Sequence, residues 1–173
     1  MKKLLTYRLF KRSCDLVLAF SLIVFLIPIF ILVALVIKAS SRGPILFSQR
    51  RIGKNKKSFS CYKFRTMHPE ADFMLKELLS SNITMKNEFE RDQKLLNDPR
   101  ITSIGRYLRF TSLDELPQIF NILKGEMSFI GPRPIIEDEI IRYEGSFEEA
   151  FSVSPGMSGL WQVSGRNKLS YKR

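Results

Sequence analysis

Residues 16–37, Leu-Val-Leu-Ala-Phe-Ser-Leu-Ile-Val-Phe-Leu-Ile-Pro-Ile-Phe-Ile-Leu-Val-Ala-Leu-Val-Ile, run for 22 positions without a formal charge. At about 1.5 Å of rise per residue they make roughly 33 Å of helix, enough to cross the hydrocarbon of a bilayer. Pro28 stands near the middle of the run. It removes a backbone donor and its ring collides with the preceding turn, so a kink or break is expected there. The flanking charges decide what the bend does. Lys2, Lys3, Arg8, Lys11 and Arg12 precede the run, and Lys38, Arg42, Arg50, Arg51, Lys54, Lys56 and Lys57 follow it. Positive residues mark the cytoplasmic side, so a straight crossing would put one cluster outside, whereas a helix bent at Pro28 enters and leaves through one face. This symmetry predicts a re-entrant hairpin, although Pro-kinked helices do span membranes where neighbours satisfy the freed carbonyls. A cleavable signal peptide is disfavoured by the length of the run, the proline and the lack of a small-residue cleavage site. Asp15 follows Arg12 by three residues, a spacing that suits either a pair across one helical turn or a solvated carboxylate among headgroups.

Outward from this segment, 173 residues leave room for one modest domain. Lys and Arg number 28 against 17 Asp and Glu, a net charge of +11. Such an excess calls for an anionic partner: phospholipid headgroups, a nucleotide or nucleic acid. Nucleic acid is the weakest of these, because the basic residues flank an apolar run and no nucleic-acid motif is present. Cys14, Cys61 and the sole histidine, His68, lack metal-ligand spacing, which excludes a His/Cys metal site and leaves two free thiols.

Beyond the helix-breaking Ser40-Ser41-Arg42-Gly43-Pro44, residues 45–53 and 58–64 read as two short strands joined by a Gly-Lys-Asn-Lys-Lys turn, a basic β-hairpin near the membrane surface. Residues 70–96 show helical spacing of Phe73, Leu75, Leu78 and Leu79 with a weak point at 82–84, and residues 101–110 form a further helix carrying Arg106 and Arg109. The apolar stretch 117–123, stopped by Lys124-Gly125, predicts a short helix that lies either in the interface plane or against the core.

Asp114 and Glu115 stand just before that stretch, and Ser112-x-x-Glu115 fits a capping box. Pro117 disfavours helical geometry at Leu116 and prefers the first helical position, which places the acid pair exposed and just ahead of a helix N-terminus. Paired carboxylates can divide labour, one attacking phosphorus and the other holding a divalent metal. Taken alone, however, an acid pair at a helix start is more often structural.

Four blocks in order remove that ambiguity: Lys63-Phe64-Arg65-Thr66-Met67, Asp98-Pro99-Arg100-Ile101-Thr102, the 112–134 stretch from Ser112-Leu113-Asp114-Glu115 to Gly131-Pro132-Arg133-Pro134, and Pro155-Gly156-Met157-Ser158-Gly159-Leu160-Trp161-Gln162-Val163-Ser164-Gly165-Arg166. Across nearly the whole chain the sequence resembles the bacterial sugar transferases, monotopic polyprenyl-phosphate phosphoglycosyl transferases. The resemblance implies an α+β fold, with a re-entrant N-terminal membrane helix hairpin and a small, mainly helical cytoplasmic domain that carries a β-hairpin. It implies a membrane element at 1–38 and a catalytic domain at 39–173, in the minimal form and without the further helical region that usually follows the Gly165-Arg166-Asn167 block. It assigns Asp114 the nucleophile's role and Glu115 that of a ligand to Mg2+. The donor implied is a UDP-sugar, the acceptor polyprenyl (undecaprenyl) phosphate, and the place the cytoplasmic face of the bacterial inner membrane, with downstream glycosyltransferases as the consumers of the product.

Two anionic substrates require cations. Lys63, Arg65, Arg106, Arg109 and Arg133 are the substrate-binding candidates, Arg109 and Arg133 first, because the planar guanidinium fork matches phosphate oxygens. Lys54, Lys56 and Lys57 are read instead as headgroup contacts. Trp161 and Gln162 suit a nucleotide base, and Arg166 is a further phosphate candidate. The competing class is a non-catalytic cationic scaffold that binds anionic lipid. It accounts for the charge and the apolar run but leaves Asp114-Glu115 and Gly-Pro-Arg-Pro unexplained.

Overall fold

A computed structural model describes residues 2–92, 95–143 and 145–160. Trp161, Gln162 and Arg166 lie outside the described residues. The chain opens with α1 (Lys2–Ser40), 39 residues of helix that contain Pro28. The break expected at the proline is therefore not an interruption of the helix. Residues Ala19, Leu22, Ile23, Leu26, Phe30, Val33 and Ile37 recur at helical spacing and pack on the rest of the molecule. Val17, Phe20, Val24, Phe25, Ile31, Leu32 and Leu35 stand exposed on the other sides. A helix apolar all round, with only one stripe covered by protein, is suited to lipid on the remainder.

The hairpin forms as expected. Strands β1 (Leu46–Ile52) and β2 (Ser58–Phe64) pair antiparallel, from Leu46 opposite Phe64 to Ile52 opposite Ser58. Because side chains alternate, Gln49, Arg51, Phe59, Cys61 and Lys63 share one face. The expected helix 70–96 is two helices, α2 (Ala71–Ser81) and α3 (Ile83–Asp92). They part at Asn82, whose extended backbone ends one and whose side-chain oxygen accepts the N–H groups of Thr84 and Met85 to start the other.

Helix α4 (Ser103–Thr111) begins at Thr102, whose hydroxyl caps the Gly105 N–H at 2.9 Å. Its Gly105 lies against the end of β2 so closely that a β-carbon there would sit 1.9 Å from the Thr66 carbonyl oxygen. Ser112 ends the helix in the left-handed region, at φ 59°. A single 3-10 turn (Leu113–Glu115) and Leu116-Pro117 then lead into α5 (Gln118–Lys124), closed by Gly125 at φ 84°. Leu116 takes right-handed helical geometry despite the proline after it, so the turn and the helix run on continuously. The capping-box alternative is absent: Ser112 makes no side-chain cap. Strand β3 (Ser128–Ile130) pairs parallel with β4 (Gly156–Ser158), a contact between two distant blocks that the sequence reading lacks. Helix α6 (Phe147–Ala150) lies between them in sequence.

Three apolar clusters hold these parts together. Ala19 of α1 meets Phe59, Cys61, Ile119, Ile122 and Met127, while Val33 and Ile37 meet Phe64 and Leu108. Helix α5 therefore faces the core rather than lipid, with Ile119 and Ile122 fully buried. Burial of such a side chain contributes about 1.5–3 kcal/mol. The third cluster, Ile52, Ile135, Phe147 and Phe151, includes a ring pair stacked at 4.6 Å and, among the described residues, nothing from α1.

Polar contacts fix both ends of the apolar run to this one body. Arg12 donates to the last carbonyls of α5, Ile122 at 2.6 Å and Leu123 at 2.9 Å. Asp15 accepts from the Ser128 hydroxyl at 2.8 Å and pairs with Lys11 at 3.3 Å, so its ion partner is one turn back at i−4 rather than Arg12. At the far end the buried Arg65 donates to the Ser41 carbonyl and hydroxyl, each at 2.9 Å, and to the Arg42 carbonyl at 3.1 Å.

Candidate active site

Asp114 is 8% exposed, contrary to the exposed position its place before a helix suggests. The 3-10 turn that follows the left-handed Ser112 folds its carboxylate inward, beneath β2 and beside α4. Burial pushes its carboxyl above the ordinary range; Lys63 pulls it back, Glu115 adds to the rise and Arg109 opposes it. Glu115 remains about a third exposed, and its Oε1 accepts from Lys63 Nζ at 2.7 Å. One carboxylate is thus desolvated and its neighbour is open to solvent and clasped by an ammonium.

Arg109 reaches the same centre from α4. Its Nε donates to the Thr66 hydroxyl at 2.9 Å, which ties the guanidinium to the end of β2. Desolvation lowers its pKa against the attraction of Asp114 and Asp98, with Arg100 adding to the fall. Asp98 and Arg100 form a buried pair of their own, bonded at 2.8 Å and 2.6 Å. Desolvation raises the Asp98 carboxyl, but its hydrogen bonds from Arg100 outweigh this and hold it below the ordinary range.

The structure thus brings Lys63, Arg109, Asp114 and Glu115 together. Arg65 stands apart, its guanidinium turned to the C-terminal end of α1. Arg106 and Arg109 are both exposed residues of α4, but only Arg109 is among the charges that act on Asp114. Arg133 comes to the opposite end of the hairpin, where its charge acts on Arg51. Gln162 and Arg166 lie outside the described residues.

Two residues absent from the sequence candidates support the site. Asn121 is fully buried: its amide donates to the Ser60 carbonyl at 2.7 Å and to Glu126 at 2.6 Å, and its oxygen accepts the Tyr62 N–H at 3.0 Å. It locks α5 to β2 and hence Glu115 to Lys63. The other is Arg51, which shares the face of the hairpin with Lys63, a parity that the predicted strands already contained. Cys14 is exposed and Cys61 buried, both free.

A family model described as "Bacterial sugar transferase" matches residues 6–173. The chain belongs to that family. Among its relatives are an undecaprenyl-phosphate galactose phosphotransferase of Salmonella typhimurium, 46% identical over 95% of this chain and 34% of the relative, and a UDP-galactose-lipid carrier transferase of Erwinia amylovora, 46% identical over 95% of this chain and 34% of the relative. The exopolysaccharide production protein ExoY of Sinorhizobium fredii is 47% identical over 93% of this chain and 71% of its own length. The chain thus spans about a third of the length of several curated relatives that it matches.

Proposed function

We propose that this member of the family transfers a sugar 1-phosphate from a UDP-sugar to polyprenyl phosphate, giving a polyprenyl-diphosphate sugar and UMP at the start of cell-surface glycan assembly. The relatives' names support the acceptor and the phosphosugar transfer. The observation that carries the residue assignment is the buried carboxylate of Asp114 set among Lys63, Glu115 and Arg109.

An ionised oxygen of Asp114 attacks the phosphorus that bears the sugar. A carboxyl O–P bond forms as the bond from that phosphorus to the bridging oxygen breaks, and UMP departs with the electron pair. An oxygen of polyprenyl phosphate then attacks the same phosphorus and the aspartyl carboxylate leaves, restored. Neither displacement needs a proton taken from the nucleophile, which leaves His68, an exposed residue beside Pro69, outside the chemistry. Lys63, half-buried, and Arg109, exposed, would face the phosphoryl charge beside the buried Asp114, and the more desolvated of these cations acts more strongly than it would in water.

Among the described residues no group of three or more His, Cys, Asp or Glu side chains forms a metal cage. The adjacent carboxylates nonetheless suit Mg2+, which is commonly held by one or two protein carboxylates with water and substrate phosphate completing the shell. Glu115, the more open of the two, would hold it. When bound it would neutralise charge on the diphosphate.

The re-entrant reading of residues 1–38 draws support from the contacts at both ends of the apolar run. Arg12 and Asp15 at one end and Ser41 and Arg42 at the other touch the same polar body. A full crossing would drag that body into the bilayer, where its charged groups are costly. With cations on both flanks, residues 39–173 are assigned to the cytoplasmic face of the bacterial inner membrane.

The test is intact-mass analysis of the protein in lipid nanodiscs, mixed with a UDP-sugar and Mg2+. A sugar-phosphate adduct on Asp114, UMP release abolished by a chelator, and loss of both in Asp114→Asn are expected. Normal turnover of Asp114→Ala would refute the mechanism.

A further inference from the structure

The block Asp98-Pro99-Arg100-Ile101-Thr102 takes no part in the chemistry above, yet it holds a buried ion pair. Asp98 and Arg100 are each 7% exposed. Oδ1 of Asp98 accepts the Arg100 backbone N–H at 3.0 Å and its Nε at 2.8 Å, and Oδ2 accepts NH2 at 2.6 Å. The Arg100 guanidinium also lies over the Phe89 ring of α3, 5.9 Å from its centre. Stability alone is a poor reason for such a pair, because the desolvation of two charges can exceed their attraction and apolar residues of similar volume often serve as well.

What the pair does for the chain is local. It closes a tight turn around Pro99, and the residues that follow are stitched to the end of β2. The His68 N–H donates to the Arg100 carbonyl at 2.9 Å, Ile101 bridges Met67, and the Thr102 N–H donates to the Thr66 carbonyl at 3.0 Å. Thr102 then caps α4, and the Thr66 hydroxyl accepts from Arg109 Nε at 2.9 Å. The turn therefore sets both supports of Arg109: the place where its helix starts and the place where its acceptor stands.

Arg109 needs such support. It is exposed, and among the described residues the bond to Thr66 is the one hydrogen bond of its side chain. A long side chain held at one atom keeps much of its rotamer freedom. Besides desolvation, the charges acting on it are ordered: Asp114 attracts most, Asp98 next, and Arg100 repels less than Asp98 attracts. In the proposed reaction Asp114 gives up its charge on bonding to phosphorus. Asp98, which burial pushes up but the hydrogen bonds from Arg100 hold below the ordinary carboxylate range, keeps its own. One counter-ion of Arg109 would thus persist through both displacements.

We infer that Asp98, gripped by the Arg100 fork, is a positioning residue for Arg109: it fixes the turn that sets Thr102 against Thr66 and holds the guanidinium toward the reacting phosphorus. It acts through Arg109 and not on substrate. This rests on the transferase reading above and adds to it a residue whose whole effect on the rate runs through one other side chain.

The experiment is a double-mutant cycle on the full chain in nanodiscs, read as the single-turnover rate of sugar-phosphate adduct formation from UDP-sugar and Mg2+. Asp98→Asn is expected to slow that step by roughly tenfold, the scale of losing one charged hydrogen-bonding partner. In an Arg109→Met background, already slow, the same change should cost less than about twofold, because the group it acts through is gone. Arg100→Lys keeps the charge but not the fork, and should slow the step by about threefold with Arg109 present and by less than about 1.5-fold without it. A role confined to stability predicts instead the same factor in both backgrounds, tracking the fall in melting temperature. If Asp98→Asn does not fold, the Arg100→Lys cycle decides alone. Equal factors in the two backgrounds, or wild-type rates in folded Asp98→Asn, would overturn the inference. Failure of the wild type to form any adduct would instead sink the transferase reading.

Discussion

Gly105→Ala should disable the enzyme without removing a single charged group. A β-carbon at this position would lie 1.9 Å from the Thr66 carbonyl oxygen and 2.6 Å from its carbon. Both obstacles are backbone, so no side chain can swing aside, and α4 must retreat from the end of β2 by more than an ångström to restore ordinary contact. The retreat strains the Thr102 N–H bond to the same oxygen, 3.0 Å long. Overpacking of this kind costs about 1–3 kcal/mol or more. The gain in helix propensity, about 1 kcal/mol for alanine over glycine, offsets only part of it. With a chain of this size a net loss of about 1–2 kcal/mol lowers the melting temperature by roughly 2–8 °C. The larger effect is on Arg109, whose Nε bond to Thr66 spans the interface being forced apart. Displacements near 1 Å can cost about 10²-fold in rate, so UMP release should fall by roughly 10- to 100-fold. Ser103→Ala, at an exposed position on the same helix, is the control and should stay within about 0.5 kcal/mol of wild type. Activity within about twofold of wild type together with an unchanged melting temperature in Gly105→Ala would refute the coupling of α4 to the site.

Asp114→Asn should unfold at a higher temperature than wild type at neutral pH while being inactive. The native carboxyl is raised by burial, so its ionised form disfavours the fold; that cost is complete above the native pKa, shrinks as pH falls through it and is absent below the unfolded-state value. The stability difference between variant and wild type should therefore vanish in acid, and a constant difference from neutral pH to well below the carboxylate range would contradict it. Arg65→Met should lower the melting temperature, by the loss of roughly 2–4 kcal/mol of charged hydrogen bonding at the end of α1, without raising the KM for UDP-sugar in folded enzyme. A raised donor KM at unchanged stability would return Arg65 to the substrate site.

The acid pair, the hairpin strands, the α4 and α5 segments and the weak point at Asn82 were legible because each has a local signal: turn residues, alternation, helical spacing or a capping side chain. Sorting the cations was not. Lys63, Arg65 and Arg109 look alike in sequence, yet one clasps Glu115, one braces Ser41 and Arg42, and one is aimed by Thr66. Those partners lie 23 to 52 residues away, and nothing local marks them. The burial of Asp114 was hidden for a related reason. It depends on the left-handed Ser112 after α4 and on β2 lying over the turn, and neither is written in the short motif.

The membrane segment is a structural part of the catalytic body rather than a tether. Ala19 sits in the cluster that seats α5, and Val33 and Ile37 sit in the one that seats α4 and Phe64. Helix α5 follows the turn that holds Asp114, and α4 carries Arg109. Each side of the charged centre thus rests on α1, one on its first half and one on its second. A boundary near residue 38 therefore cuts the chain where its backbone turns, not where its packing ends. The consequence is mechanical: whatever depth a bilayer would set for α1 is passed through Ala19, Val33 and Ile37 to the two elements that hold Asp114 and Arg109. In the proposed reaction a lipid-borne phosphate and the buried Asp114 would then meet at a fixed height, because one helix would position both.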